Sequence, residues 1–190
     1  RDKVSLLIEH HRFDLDITII IQNLDKISKA LQQINTNDKL PIVLGTVLSL
    51  LNYLNRGTVY GGATSFSLND LNLIKDIKSK VHGVKFINYL AMELEKKNVN
   101  LVEMQAEFSR LQSAARISIN DINSKLNIAQ RMLAARPRDP FVRASSRRIY
   151  DVMKIVQKTT AEYSRITRNY GIKEELLKQD SMIQTFINFA

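Results

Sequence analysis

Two long segments of the chain carry apolar residues at heptad spacing. In the first segment the two registers are His10, Ile17, Leu24, Leu31 and Phe13, Ile20, Ile27, Ile34. In the second they are Val142, Ile149, Val156, Tyr163, Tyr170 and Val152, Thr159, Ile166. Apolar side chains that recur about every 3.5 residues line one face of a coiled-coil helix. The pattern therefore predicts two long helices, each with a continuous apolar seam, and Gly171 is expected to end the second.

Shorter helices are predicted between these two. Residues 35–38 (Asn-Thr-Asn-Asp) interrupt the first seam, and Pro41 suits the first turn of the next helix. That helix, residues 40–54, is apolar almost all round, so we expect it to be buried on several sides. Ser67 with Asp70 resembles a capping box and predicts a short helix that continues to about Ile77.

The rest of the chain predicts further helices and a sharp turn. Helices are expected at residues 84–97, 101–115, 119–133 and 182–189. The two central ones meet near Ile117, where the apolar positions shift phase and Ser118 supplies a cap-like signal. Pro137 and Pro140 predict a hard turn at residues 136–140. Because no segment alternates long enough to predict a strand, we expect an all-α fold, an elongated helical bundle with long coiled-coil-like helices.

An irregular loop is expected at residues 56–65. It contains Gly57, Gly61 and Gly62, half of the 6 glycines in the chain. Glycine adopts positive φ without steric cost, so Gly57 and Gly62 are expected at turn positions. Asn52 and Asn55, near the end of the preceding helix, are expected to act as caps.

The composition describes a globular domain with a basic surface. Of the 190 residues 44% are hydrophobic, and 28 Lys and Arg against 19 Asp and Glu give a net charge of +9. A basic surface favours nucleic acid, anionic lipid or an acidic protein as partner. The absence of cysteine excludes disulfides and thiolate metal sites. No apolar stretch reaches the roughly 20 residues that span a bilayer.

The opening Arg-Asp-Lys, without an initiator Met, indicates a piece cut from a longer protein and carries no readable targeting signal. The candidate chemistry is sparse. His10, His11 and His82 have neither a zinc spacing nor a triad partner, so we expect surface or seam positions for them. The glycines at residues 57–63 follow a helix and lack the ending of a phosphate loop. We therefore predict that the chain is not an enzyme and needs no metal or cofactor.

A cluster of arginines surrounds the predicted sharp turn. Its members are Arg131, Arg136, Arg138, Arg143, Arg147 and Arg148. Two interpretations remain open, solvated helix ends or a site for a polyanion. Few aromatic residues lie nearby, so stacking of bases is not indicated. One candidate function is accordingly a basic helical scaffold that binds anionic lipid or nucleic acid.

The central part of the chain resembles the formin homology 2 domain. The matching segments are LNYLNRGT at residues 51–58, GATSFSL at 62–68, LNLIKDIKS at 71–79 and FINYL at 86–90. They correspond in order and spacing to the family patterns G-N-Y-x-N-x-G, G-A-x-G-F, L-x-K-L-x-D-T-K-S and L-L-H-Y-L. The resemblance is specific over about residues 40–97, and elsewhere it lies mainly in the order and length of the helices.

The resemblance implies a partial domain over residues 1–190. Residues 1–37 look like the end of the knob and the coiled-coil helix, and residues 38–190 look like the post with its long C-terminal helices. In the family, residues around the post loop receive the lasso of the partner subunit, and a lysine nearby touches actin. The lasso positions correspond here to Asn52, Tyr53, Asn55, Gly57, Gly62, Ala63 and Phe66. The actin positions correspond to Lys78 and Lys75.

Several positions depart from the family pattern. Leu51 replaces the first motif glycine, and Ser65 replaces the glycine before Phe66. Ile77 replaces the threonine that precedes the motif lysine. The pocket for the lasso is therefore expected to differ in shape.

The resemblance implies an actin-binding portion of a formin, a cytoplasmic protein of the actin cytoskeleton that nucleates filaments and follows growing barbed ends as a homodimer. Its expected partners are actin and a second subunit, with no nucleic acid and no membrane span. By itself this piece is expected to nucleate poorly. It is also expected to be a monomer, or a non-native dimer joined through an exposed seam at residues 13–34.

Overall fold

The computed structural model describes residues 3–67, 70–74, 77–78, 84–170 and 181–189, and in these ranges every regular element is a helix. The helices are α1 (Lys3–Thr36), α2 (Lys39–Leu54), α3 (Asp70–Ile74), α4 (Phe86–Lys96), α5 (Leu101–Ser109), α6 (Gln112–Ala115), α7 (Ile119–Ala134), α8 (Pro140–Asn169) and α9 (Ser181–Phe189). The predicted all-α fold is confirmed. Gly171, expected to end α8, lies outside the described residues.

The two predicted seams face each other. The buried residues of α1 run from Phe13 to Ile34, and those of α8 run from Ser145 to Thr167. The helices are parallel, because His10 meets Asp139 at the start of α8 and Ser28 meets Thr159 further along both. The expectation that residues 13–34 form an exposed dimerisation seam is wrong, since α8 covers that seam within the same chain.

α7 runs back against α8 through the predicted turn. Asp139 caps α8 by accepting a hydrogen bond of 2.9 Å from the Phe141 amide to its side chain. Ser118 caps α7 in the same way, with its Oγ 3.3 Å from the Asp121 amide. The break near Ile117 is thus confirmed. The structure adds a second break at residues 110–111, between the end of α5 and the start of α6. The Leu111 side chain is buried at this break.

The remaining helices form a second group that contacts α1 through α6. α9 contacts α3, α5 and α6, and its Phe186 lies against Phe108 and Tyr170 in the core. α2 is tied to α5 by Lys39, whose Nζ lies 2.7 Å from Glu103 and 3.1 Å from Glu107. The hydrogen bond to Glu103 is the main reason that the pKa of Lys39 is raised. These contacts hold one end of α2 in place.

α2 is buried on one face only. Leu40, Val43 and Val47 lie in the core, whereas Ile42, Gly45 and Ser49 on the other side of the helix are exposed. The prediction of burial on several sides is therefore wrong, because no described element covers that side. At the C-terminal end of α2, Tyr53 and Leu54 are exposed as well, although Leu54 continues the stripe of Val43 and Val47.

Two short elements follow the loop after α2. The Ser67 amide donates to the Asp70 side chain over 3.0 Å, as expected of the capping pair. The described part of the predicted helix is Asp70–Ile74, and residues 75–76 lie outside the described residues. α4 begins at Phe86. Between them Lys78 and Lys85 form an isolated antiparallel bridge, which holds the chain on both sides of the undescribed residues together.

Candidate functional site

The loop after α2 is fixed by the side chain of Asn52. Its Nδ2 donates to the Ala63 carbonyl and its Oδ1 accepts from the Ala63 amide, both over 2.8 Å. Asn52 therefore closes the two ends of the loop, and the expectation that it caps the helix is wrong. Asn55 is the C-terminal cap residue, and its carbonyl accepts from the amide and the hydroxyl of Thr58.

Glycines shape this loop in two different ways. Gly57 and Gly62 have φ of 81° and 77°, as predicted, a region that residues with a Cβ rarely adopt. Gly61 has no such φ, but a Cβ there would stand 2.7 Å from the Asn55 carbonyl oxygen. The loop conformation consequently depends on all three positions.

An apolar groove lies between the C-terminal end of α2 and helix α4, and we call it the Tyr53 groove. Its volume is about 650 Å³. It is lined by Leu50, Tyr53, Leu54, Ile77, Lys78, Val84, Lys85, Phe86, Tyr89 and Met92. Tyr53 is 70% exposed, Leu54 56% and Met92 54%. Exposed apolar side chains in a contiguous patch are typical of interaction sites.

The edge of the Tyr53 groove is basic. Lys78 and Lys85 are paired through their backbones in the isolated bridge, and the Phe86 amide donates to the Ile77 carbonyl over 2.9 Å. Both lysines are exposed, and none of the described residues that line the groove is acidic. The groove thus combines an apolar floor with two cations at its edge.

A second groove lies on the other side of the loop, and we call it the Phe66 groove. Its volume is about 560 Å³, and it is lined by Leu44, Gly45, Leu48, Ser65, Phe66, Ser67, Arg168, Asn169 and Tyr170. Burial raises the pKa of the Tyr170 phenol, whose ring meets Phe186 edge to face at 5.2 Å. This groove therefore joins α2, the chain before α3 and the end of α8.

The structure divides the residues that the family resemblance singled out. Tyr53 and Lys78 share the Tyr53 groove, although the resemblance assigns them to different partners. Phe66 lines the Phe66 groove, whereas the loop residues Asn55, Gly57, Gly62 and Ala63 line neither groove. Lys75 lies outside the described residues. The assigned roles of all these residues remain predictions.

Sequence reasoning missed most of the residues that line the grooves. The apolar pattern of α2 predicts core positions for Leu50 and Leu54. Tyr89 and Met92 lie beside the buried face of α4, and their pattern predicts no binding role. Leu50 and Leu54 continue the apolar stripe of Leu40, Val43 and Val47, so their spacing gave no signal of a groove. Gly45 and Tyr170 gave none either, because their proximity depends on the tertiary fold.

The arginine cluster does not form one patch. The guanidinium of Arg136 lies 2.5 Å from Glu9, and that hydrogen bond raises the pKa of Arg136. Arg148 pairs with Asp14. These two arginines join the start of α8 to α1, so the interpretation of all six as a single binding site is wrong.

His10 is a seam residue, as expected. Its ring stacks on Phe141 with centroids 3.9 Å apart, and its Nε2 lies 3.1 Å from Asp139 Oδ2. The pKa of Asp139 is lowered, first by the hydrogen bond from the Phe141 amide and then by His10. His11 is exposed and His82 lies outside the described residues. These contacts give His10 a structural role.

In the described part of the chain, no group of three histidine or carboxylate side chains is arranged to hold a metal ion. Likewise, none of the helices in those ranges combines the length and apolarity needed to cross a bilayer.

The fold and the two grooves define a helical interaction module built on a parallel helix pair. The profile of the Formin Homology 2 Domain matches residues 1–170. The chain belongs to this family.

Similar proteins come from animals, amoebae and plants. Disheveled-associated activator of morphogenesis 2 of Mus musculus is 24% identical over 181 aligned positions, and the match covers 84% of this chain and 16% of that protein. Formin-G of Dictyostelium discoideum is 31% identical over 117 residues, 58% of this chain and 11% of that protein. Formin-like protein 19 of Arabidopsis thaliana is 26% identical over 115 residues, 60% and 25% respectively. The chain thus spans a quarter or less of the length of these relatives.

Proposed function

We propose that the chain binds actin through the Tyr53 groove, as the post and coiled-coil part of a formin homology 2 domain. The observation that carries the proposal is the apolar groove of about 650 Å³ with Lys78 and Lys85 at its edge. An apolar floor supplies the free energy of binding, and the basic edge favours an acidic protein surface. Family membership supports actin as that protein.

We further propose that the loop and the Phe66 groove receive the lasso of a second subunit. The Asn52 clamp and the glycine conformations hold the loop in one shape, so a partner segment meets a preformed surface. The Phe66 groove offers an apolar recess beside it.

The action on actin that we propose is one of proximity. A homodimer with two Tyr53 grooves would hold two actin subunits at once and thereby raise their effective concentration for assembly. Nucleation and tracking of growing barbed ends in the cytoplasmic actin cytoskeleton follow from repeated use of these contacts. No bond is made or broken by the chain in this account.

The test of the groove is a double substitution in the complete protein. Leu54→Ala with Met92→Ala is expected to reduce the rate of actin assembly at least severalfold, because both exposed side chains line the groove and burying each contributes about 1 to 2 kcal/mol. The measurement is bulk assembly of fluorescently labelled actin across a range of protein concentrations.

The matched control is Ile128→Ala with Met132→Ala. These side chains are 58% and 41% exposed on α7, away from α2 and α4, and the volume removed is similar. We expect assembly at nearly the parent rate. Equal loss in the two double variants, with both melting at the parent temperature, would contradict the assignment of the groove.

A further inference from the structure

α8 holds a large share of the positive charge of the chain. Its 30 residues contain seven cations, Arg143, Arg147, Arg148, Lys154, Lys158, Arg165 and Arg168, and two acids, Asp151 and Glu162. The helix therefore contributes a net charge of +5 (seven minus two) to the +9 of the whole chain. The positive charge of α8 therefore extends along the whole helix and is not confined to the turn at residues 136–140.

Six of these cations lie on one face of α8, and we call this face the α8 stripe. Its members are Arg143, Arg147, Lys154, Lys158, Arg165 and Arg168, all exposed. At 3.6 residues per turn they fall within about 80° of the helix circumference and extend over about 37 Å. The buried residues, such as Ile149 and Val156, lie on the opposite side against α1 and α7. The stripe therefore points away from the bundle.

The charges of the stripe are available. In the described part of the chain, no carboxylate lies within ion-pair distance of any of the six cations, while the seventh cation, Arg148, pairs with Asp14. Arg168 donates only to the Ser164 carbonyl. Asp151 and Glu162 lie on the flank of the stripe by helical geometry. Carboxylates of the described residues therefore leave the positive charge of the stripe unneutralised.

The shape of the stripe favours one kind of partner. Because the stripe is a convex row along a single helix, a flat anionic surface contacts all six cations at once. The phosphates of a nucleic acid duplex follow a helical path and contact only part of the row. Tyr150, with Lys154 Nζ 4.4 Å from its ring centroid, stands within the row, and tyrosine is favoured at membrane interfaces. One tyrosine provides no platform for stacked bases.

We propose that the α8 stripe binds the surface of an anionic lipid membrane. Basic clusters of four to eight residues on a helix attract acidic lipid headgroups at roughly fivefold in partition coefficient per residue. The contact is peripheral, because the apolar face of α8 stays in the core. It is separate from the Tyr53 groove, which lies on α2 and α4.

The test uses the 190-residue chain and sedimentation with vesicles of phosphatidylcholine, with or without phosphatidylserine. We expect binding only to the vesicles that contain phosphatidylserine, and binding that weakens as salt rises. The variant Arg147→Glu with Lys154→Glu and Lys158→Glu is expected to lower the partition coefficient by about 100-fold or more, because each substitution removes a cation and adds an anion. Arg168 is left unchanged because it also lines the Phe66 groove.

A control variant carries Lys26→Glu, Arg110→Glu and Arg116→Glu. It has the same change in net charge at exposed positions outside the stripe, so it is expected to retain most of the binding. Equal loss in both variants would overturn the stripe in favour of diffuse attraction. A short DNA duplex bound at the stripe more tightly than the vesicles would overturn the lipid assignment. If thermal melting shows that the Glu variant is unfolded, the corresponding Gln substitutions replace it.

Discussion

Lys78→Glu in the complete protein is expected to lower the affinity for growing filament ends by about tenfold or more. Lys78 lies at the edge of the Tyr53 groove, where we propose that it contacts an actin carboxylate. The substitution places a like charge opposite that carboxylate next to an apolar surface, where solvent screens less than in open water. The measurement is the concentration dependence of end capture, observed on single filaments.

The control for Lys78→Glu is Lys125→Glu on α7. Lys125 is also exposed, and the change in net charge is the same, so long-range steering is altered equally in the two variants. We expect filament-end affinity close to that of the parent. If both variants lose affinity to the same extent, Lys78 makes no specific contact and diffuse attraction explains the binding.

Leu24→Ala is expected to destabilise the chain by about 3 to 5 kcal/mol. Leu24 is fully buried at the centre of the seam between α1 and α8, and the smaller side chain leaves a cavity that rigid helices cannot close. Urea denaturation should show a lower midpoint with an unchanged slope.

Leu7→Ala is the matched control, because it makes the same chemical change in the same helix at a side chain that is 67% exposed. We expect a change within about 0.5 kcal/mol. A loss as small for Leu24→Ala as for Leu7→Ala would show that the seam does not contribute the stability that its burial implies.

The heptad pattern predicted α1 and α8 well because burial on one helical face imposes its own period on the sequence. It identified Ile17 and Val156 as core residues, and both are buried. It could not tell which surface each seam would meet, since any complementary apolar face satisfies the same period. The parallel pairing of the two seams therefore emerged only from the structure.

The apolar residues of α2 show a second limit. Apolar residues in a helix can be buried by the same chain or left open for a partner, and the composition of the helix is the same in both cases. Leu40 and Leu54 look equivalent in the sequence, yet one is in the core and the other is exposed in the Tyr53 groove. The sequence therefore could not separate this exposed apolar surface from the core.

Charge was the least predictable feature. The six arginines near the turn are close in sequence, but pairing with Glu9 and Asp14 removes Arg136 and Arg148 from any common site. Those partners lie more than a hundred residues away in the chain. By contrast, the local chemistry of Gly57 and Gly62 was predicted, because positive φ at a turn depends on the residue itself.

The most direct test of the Tyr53 groove as an actin site is zero-length carbodiimide crosslinking of the complete protein to actin, followed by mass spectrometry. The reagent joins a lysine amine to a carboxylate in contact with it, so each link identifies a touching pair. We expect links from Lys78 or Lys85 to actin carboxylates. Links that involve Lys154, Lys158 or Lys125 while Lys78 and Lys85 remain unlinked would contradict the assignment of the Tyr53 groove as the actin site.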